Sequence, residues 1–259
     1  MLRGMREIKM RYLCWLLFGL MSFQPLFAQE HSAASSHSAV VAEQGPFSAE
    51  DIWDDLMAGN RRYVSGKPMV REFVQTRHGL VNGQHPKVIV ISCSDSRVSP
   101  ELLFDKSLGD LFVIRTAGNI ADPIALGSIE YAVDHLNSPL LVVLGHEKCG
   151  AVTAACSGEK MPTPGLQAIV DKIGPAVSQA KTYAKPGDLV AQAILENVHQ
   201  SAKDILAEST IVRSALKEGK LSIIEAVYRL DSGEVVRLGK LSVLAPAYKL
   251  DIGDIVRVR

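Results

Sequence analysis

The chain has 259 residues, 47% of them hydrophobic, and its 28 basic side chains balance its 28 acidic ones. This composition is typical of a packed globular protein, and the balanced charge gives no support for binding nucleic acid. The length is sufficient for one α/β domain or for two small domains.

The N-terminus has the pattern of an export signal. An apolar run over residues 12–27 follows a basic stretch and is interrupted by Gln24 and Pro25. The run is short for a membrane span, which favours a cleaved signal peptide over an uncleaved anchor. We therefore expect residues 1–28 to be removed after Ala28, leaving a periplasmic protein without a stable membrane span.

The folded part is expected to begin soon after the signal. Residues 29–46 are rich in Ser, Ala and His without an apolar period, which is typical of a flexible leader. Residues 47–259 are then expected to form a single domain. Its first element is a helix that starts at Ser48, which precedes two acidic residues, and ends near Ser65.

Strands and helices are predicted to alternate through the rest of the chain. Short runs of apolar, β-branched residues, typical of strands buried on both faces, span residues 88–91, 111–114, 140–144 and 221–228. A turn at 231–233 leads into a further strand at 235–238. Segments with helical spacing cover residues 74–81, 124–136, 166–182 and 189–206.

This alternation predicts an α/β fold. We expect a central, mainly parallel four-stranded sheet with an added edge strand, helices on both faces and an N-terminal helical arm. The tail from residue 240 to residue 259 alternates weakly and is a candidate for an extra edge strand. Ligands of such sheets bind at the carboxyl ends of the strands, so the residues that follow each strand carry the functional prediction.

Two such strand ends carry groups that bind zinc. The first predicted strand leads into Cys93 and Asp95, and the third leads into His146 and Cys149. Two thiolates, an imidazole and a carboxylate suit tetrahedral zinc. After loss of the signal three cysteines remain, an odd number that does not suggest a disulfide framework. The third, Cys156, is expected to be a packing residue.

A nearby arginine favours a catalytic zinc over a structural one. If Asp95 binds the metal, protein groups fill all four positions and the site is closed. Arg97 is placed to hold that carboxylate in a bidentate pair, which would leave the fourth position for water. Zinc with two thiolates and one neutral imidazole already has no net charge, which also favours the open form. Water bound to such a zinc ionises near neutral pH.

Both motifs resemble the signature motifs of the β-carbonic anhydrases. These are Cys93-Ser94-Asp95-Ser96-Arg97 and His146-Glu147-Lys148-Cys149-Gly150. The similarity runs from about Ile52 to Leu238 and includes Asp110-Leu111-Phe112-Val113-Ile114-Arg115, Ala117-Gly118-Asn119 and Ser128-Ile129-Glu130-Tyr131-Ala132. The resemblance implies a Zn²⁺ enzyme that hydrates carbon dioxide reversibly to bicarbonate and a proton. It also implies a homodimer, or a tetramer built from dimers.

The resemblance also implies further site residues. Gln84 lies nine residues before Cys93, as in the readily active, plant-type subgroup that lacks a regulatory bicarbonate pocket, and is expected to bind bicarbonate. Phe112, Ala117 and Tyr131 are expected to line the carbon dioxide pocket, with Tyr131 supplied by its own or by the partner subunit. Gly150 is expected to offer its backbone N–H to the substrate. Phe112 is equally consistent with plain core packing. His78, His85 and His135 are candidates for the proton shuttle, but for each of them a structural or solvated role is favoured.

Two other functions fit part of the pattern. Carbon disulfide and carbonyl sulfide hydrolases resemble the same family and use the same ligands, so the sequence separates them poorly from an anhydrase. A zinc-holding or protein-binding module without catalysis would be expected to lack Gln84 or the Asp95–Arg97 pair, and this chain has all three residues.

Overall fold

The computed structural model describes residues 48–240, with side chains as far as Leu238. The predicted signal peptide and leader and the weakly alternating C-terminal tail lie outside the described residues. The elements in chain order are α1 (Ala49–Val64), α2 (Phe73–Gly79), β1 (Val88–Cys93), α3 (Pro100–Leu103), β2 (Leu111–Thr116), a 3₁₀ turn (Ala117–Asn119), α4 (Pro123–Asp134), β3 (Leu140–His146), α5 (Gly150–Ser157), α6 (Pro164–Lys181), α7 (Leu189–Glu208), α8 (Thr210–Lys217), β4 (Ser222–Tyr228) and β5 (Val235–Lys240).

The N-terminal helix begins where the sequence predicts it. The Ser48 hydroxyl accepts a hydrogen bond from the backbone N–H of Asp51, and the Asp51 carboxylate accepts one from the Ser48 N–H. This reciprocal cap satisfies two donors that the first turn leaves free. The helix then buries Ile52, Trp53 and Leu56 against the sheet.

The sheet has the predicted combination of parallel strands and an added edge strand. Its strand order is β2-β1-β3-β4-β5, and the first four strands are parallel whereas β5 runs antiparallel to β4. All residues of β1 and β3 are buried, as expected for central parallel strands covered on both faces. The prediction of a four-stranded parallel core with an added edge strand is confirmed.

Helices cover both faces of this sheet. Because strand side chains alternate, Ile89 and Ile91 of β1 pack in a core with α4 to α8. Their neighbours Val88 and Val90 pack in a second core with α1 and α3. The carboxyl ends of the parallel strands meet at one edge, where Cys93 is in register with Thr116 of β2. Among residues 48–240, no helix is both long and apolar enough to cross a membrane.

Candidate metal centre

Three predicted ligands lie together at the carboxyl edge of the sheet. Cys93 ends β1, His146 ends the neighbouring strand β3, and Cys149 immediately precedes α5. Their ligand atoms lie within 4.8 Å of one another, and all three residues are buried. The fold therefore assembles the predicted Cys–His–Cys group from two separate motifs.

The imidazole of His146 is prepared for a metal. Its Nδ1 lies 2.8 Å from the carbonyl oxygen of Glu147, which can only accept, so Nδ1 carries the proton. In the tautomer that carries its proton on Nδ1, Nε2 has a lone pair for a metal. This atom is buried and has no hydrogen-bond partner among the described residues. A buried acceptor without a partner is costly, and a metal ion at this position would satisfy it.

The two thiols also fit zinc. Their sulfur atoms are 4.0 Å apart, close to the separation of about 3.8 Å that two zinc–sulfur bonds span at a tetrahedral angle. Without metal, a hydrogen bond from Cys149 lowers the pKa of the Cys93 thiol to about 4. The same contact, together with burial, raises the pKa of Cys149. Cation binding would stabilise both thiolates, so the donor set and its spacing match Zn²⁺.

The carboxylate of Asp95 lies beside this group but is held by Arg97. Arg97 Nε donates to Asp95 Oδ1 at 2.8 Å, and Arg97 Nη2 donates to Asp95 Oδ2 at 2.7 Å. The bond from Arg97 is the main reason why the pKa of Asp95 is well below its ordinary range. Asp95 Oδ2 remains 3.9 Å from His146 Nε2. The carboxylate is therefore ionised, oriented and adjacent to the three ligands.

A second arginine, which belongs to neither ligand motif, holds the backbone of the same loop. Arg115, near the end of β2, donates from Nη2 to the carbonyl oxygen of Asp95 at 2.7 Å and from Nε to that of Cys93 at 3.2 Å. In the sequence, its position near the carboxyl end of a predicted strand could have indicated that it lies beside the site. Arg115 thus fixes the turn that presents Cys93 and Asp95.

Two of the predicted substrate-binding residues lie at the same edge as the ligands. Ala117 opens the 3₁₀ turn, and the next residue, Gly118, donates its backbone N–H to the Cys93 sulfur at 3.3 Å. Gly150 directly follows Cys149 and is the first residue of α5. Its backbone N–H belongs to the first helical turn, where such groups have no partner within the helix.

The other three predicted substrate-binding residues lie towards the opposite edge. Gln84 is exposed and lies two residues before Pro86, whose carbonyl accepts a hydrogen bond from Ser138, two residues before β3 begins. Cys93 lies at the far end of β1, about 16 Å along the strand. The two-residue step from Pro86 to Gln84, together with the Gln84 side chain, does not span this distance of about 16 Å. Within one chain, Gln84 therefore does not contact the ligand group.

Phe112 and Tyr131 form a pair near this opposite edge. Phe112 is in register with Ile89, at the start of its strand, and its ring centroid is 6.2 Å from that of Tyr131. The Tyr131 side chain is exposed and its ring lies 5.0 Å from that of His135. The pair therefore lies about four residues, or about 13 Å, along β2 from the ligand edge.

The remaining candidates are not part of the metal group. His78, His85 and His135 are exposed and belong to α2, to the loop before β1 and to the end of α4. Cys156 is half-buried on α5 and packs against the larger core, the packing role expected of it.

Known proteins are similar to this chain in sequence and in fold. Residues 88–235 match the family model described as carbonic anhydrase. Carbonic anhydrase 2 of Mycobacterium tuberculosis is 40% identical over 188 residues, which cover 71% of this chain and 90% of that protein. A carbonic anhydrase of Mycolicibacterium smegmatis is 38% identical over 189 residues, with 71% and 90% covered.

Solved structures of β-carbonic anhydrases have a similar fold. The β-carbonic anhydrase CcaA superposes with a TM-score of 0.58 at 30% identity, covering 73% of this chain and 95% of that one. The Coccomyxa β-carbonic anhydrase in complex with acetazolamide gives a TM-score of 0.57 at 28% identity, covering 74% and 85%. With its Cys–His–Cys group built for zinc, the chain belongs to the β class of the carbonic anhydrases, enzymes that hydrate carbon dioxide.

Proposed function

We propose that this chain hydrates carbon dioxide with Asp95 and Arg97 as its catalytic pair. The observation that carries the proposal is the ligand count: Arg97 engages both oxygens of the nearest carboxylate, which leaves Cys93, His146 and Cys149 as the protein ligands. Three protein ligands with an open position are typical of catalytic zinc. When bound, zinc would supply the charge that makes a water molecule nucleophilic near neutral pH.

The role proposed for Asp95 is to orient the reacting oxygen. Because it is ionised, its carboxylate can only accept a hydrogen bond. The Asp95 carboxylate would therefore accept a hydrogen bond from the O–H of the attacking water. This hydrogen bond would direct a lone pair of the water oxygen towards the carbon of carbon dioxide. If Arg97 releases the carboxylate, Asp95 can bind the metal as a fourth ligand and close the site. In this proposal the Arg97 pair keeps the enzyme in its active form.

Ala117 and Gly150 are proposed to contact the substrate from the same edge of the sheet. Carbon dioxide is apolar, so the methyl group of Ala117 provides a suitable wall. Bicarbonate is an anion, and the Gly150 N–H at the start of α5 offers it a donor where the helix dipole favours negative charge. The two residues would thus serve the two forms of the substrate.

Gln84, Phe112 and Tyr131 are proposed to act in the site of a partner subunit. Each lies towards the opposite edge of the sheet from its own ligand group, as the positions of Pro86 and of β2 indicate. The proposal thus requires at least a homodimer, and a tetramer built from dimers satisfies it equally. Gln84 would hydrogen-bond bicarbonate, and the two rings would complete the apolar pocket.

Exposed apolar surface supports this assembly. β2 is the last strand on its side of the described sheet, so its outer edge has no partner within residues 48–240. Large apolar side chains of α4, the helix that packs on β2, are exposed: Tyr131 at 45% and Ile124 at 81%. An open strand edge with exposed apolar groups is the kind of surface that pairs with another chain.

Gln84 also supports assignment to the readily active, plant-type subgroup. In this proposal bicarbonate binds only as substrate or product, with no separate inhibitory pocket. The expected result is a hydration rate that depends on the bicarbonate concentration without cooperativity. Cooperative inhibition by bicarbonate would instead place the chain in the regulated subgroup.

Export to the periplasm is proposed from residues 1–28, with residues 29–46 as leader and residues 47–259 as the catalytic domain. In an oxidising compartment the thiols of Cys93 and Cys149 would need to bind zinc before they oxidise. Mass spectrometry of the protein from a periplasmic extract tests this. Export predicts a chain that begins near Gln29, and a full-length chain retained in the cytoplasm would contradict it.

Substrate choice is tested by supplying zinc-loaded protein with carbon dioxide and, separately, with carbon disulfide. The proposal predicts rapid hydration of carbon dioxide, followed by stopped-flow with a pH indicator, and no release of sulfide from carbon disulfide. Sulfide release without carbon dioxide hydration would identify the chain as a carbon disulfide hydrolase on the same ligands.

A further inference from the structure

The thiolate of Cys93 is contacted by a turn whose shape depends on a distant helix. The Gly118 N–H donates to the Cys93 sulfur at 3.3 Å. Gly118 has a φ of 75°, a conformation that disfavours other residues, and a Cβ on it would lie 2.8 Å from Cδ1 of Ile173. The turn therefore has little freedom, and the groups that orient Gly118 also set its contact with the ligand.

Asn197 on α7 is the side chain that orients Gly118. Its Nδ2 donates to the Gly118 carbonyl oxygen at 2.7 Å. Asn197 is only 1% exposed, so its amide is shielded from solvent. A buried amide persists there when it has a specific partner, and its partner is the residue that contacts Cys93.

A second polar residue of α7 supports the same turn. Ser201 lies one helical turn after Asn197 and donates to the Asn197 carbonyl oxygen at 2.9 Å. Its hydroxyl also accepts from Asn119 Nδ2 at 3.4 Å, and Asn119 has a φ of 48°. Both strained residues of the turn, Gly118 and Asn119, are thus held from one face of α7.

The same helix also lies against the strand that carries His146. Gly145 immediately precedes that ligand, and a Cβ on Gly145 would approach Cγ2 of Val198 to 2.5 Å. Close packing of α7 on the backbone of β3 is therefore possible only with glycine there. The helix accordingly contacts the segments before His146 and beside Cys93.

We infer that Asn197 is a positioning residue for the metal centre: through Gly118 it holds the donor that supports the Cys93 thiolate. The inference rests on the proposed zinc function for its consequence in activity, but its effect on metal binding stands on its own. Residues that orient metal ligands in this indirect way typically contribute 10- to 100-fold in metal affinity.

The test compares Asn197→Leu, which keeps the branched shape and removes the donor, with Glu196→Ala. Glu196 is the adjacent buried residue and accepts a hydrogen bond from Tyr183, away from the metal centre. Zinc affinity is measured on each full-length protein by competition with a chromophoric chelator. The sulfur-to-metal charge-transfer band is recorded after cobalt(II) substitution, and thermal unfolding is followed in parallel.

We expect Asn197→Leu to weaken zinc affinity by about 10- to 100-fold and to shift the cobalt band. Glu196→Ala is expected to lower the melting temperature with wild-type metal affinity and band. Wild-type affinity and an unchanged band in Asn197→Leu would overturn the inference, as would equal losses in both variants. If Asn197→Leu does not fold, Asn197→Ser is read by the same criteria.

The outcome is separable from that of the proposed function. A wild-type protein that binds zinc and hydrates carbon dioxide, alongside an Asn197→Leu variant with unchanged metal properties, would reject the role of Asn197 alone. A wild-type protein that binds zinc without hydrating carbon dioxide would reject the proposed function, while the affinity difference between the variants would still decide the role of Asn197.

Discussion

Arg97 binds both carboxylate oxygens of Asp95, at 2.8 and 2.7 Å, while Asp95 Oδ2 lies 3.9 Å from Nε2 of the ligand His146. The carboxylate is thus close enough to join the metal group and is engaged elsewhere. Arg97 Nη2 also donates a hydrogen bond to the Lys148 carbonyl oxygen at 3.4 Å, so Arg97 connects the two ligand motifs. This relationship separates a catalytic centre from a closed structural one.

Replacing either member of this pair should remove activity and leave the metal in place. We expect Asp95→Asn and Arg97→Ala to retain zinc, because no ligand is lost, and to hydrate carbon dioxide about 10²- to 10³-fold more slowly. Arg97→Lys should recover only part of the rate, since an ammonium group does not form the bidentate pair. Full activity in any of the three variants, measured per bound zinc, would disprove the gating role.

Cysteine variants should separate ligands from packing residues. Cys93→Ser and Cys149→Ser should lose zinc, because each removes a thiolate from the three-ligand group. Cys156→Ser is the matched control: this residue lies on α5 outside the group and should keep stoichiometric zinc. Elemental analysis after gel filtration measures the difference. Zinc retained in Cys93→Ser would show that the ligand set is different.

Mixed oligomers should show whether Gln84 acts across subunits. Gln84→Ala alone should lower activity, and Cys93→Ser alone should be inactive. If Gln84 serves the partner's site, refolding the two variants together creates one complete site in each mixed dimer. An equal mixture should then regain about a quarter of wild-type activity. A mixture of Cys93→Ser with Arg97→Ala is the control and should regain none, because both residues belong to the same site.

The stability of the N-terminal arm should depend on pH through the ionisation of Asp105. This carboxylate is buried; burial opposes its charge, but hydrogen bonds from Arg71 and Arg62 outweigh that and lower its pKa to about 2 from 3.8. A depressed folded-state pKa stabilises the fold above about pH 4, and this stabilisation is lost as the pH falls towards 2.

Asp105→Asn should therefore reduce the free energy of unfolding at pH 7 by about 1.5–3 kcal/mol, the range for hydrogen bonds to a charged group. Urea denaturation between pH 7 and pH 3 measures the difference between variant and wild type. The difference should be constant down to about pH 4 and narrow below it. A difference that widens on acidification would show that Asp105 is not held in its charged form.

Local patterns in the sequence were sufficient to predict the sheet and the ligands. The apolar runs at 88–91 and 140–144 correspond to β1 and β3, which extend further, to Cys93 and His146. The apolar runs end early because β1 finishes with Ser92 and Cys93 and β3 with Gly145 and His146, and apolar periodicity does not report a serine, a glycine or a metal ligand. Placement of both motifs at strand ends was enough to bring them together.

What the sequence did not reveal depends on contacts between distant segments. Arg115 and Asn197 lie 22 and 104 positions after Cys93 in the chain, and neither belongs to a ligand motif. Their roles follow from the register of β2 on β1 and from the packing of α7, which periodicity does not specify. Gln84 could have been placed at the amino-terminal edge, since it precedes β1, but the partner subunit in whose site we propose that it acts lies outside a single chain.

The most direct test of the central claim is the rate of carbon dioxide hydration by the wild-type protein, measured by stopped-flow on samples with a known zinc content. The account predicts hydration far above the uncatalysed rate, in proportion to bound zinc, lost on chelation and restored by adding Zn²⁺. A protein that holds one zinc per chain and does not accelerate hydration would contradict it.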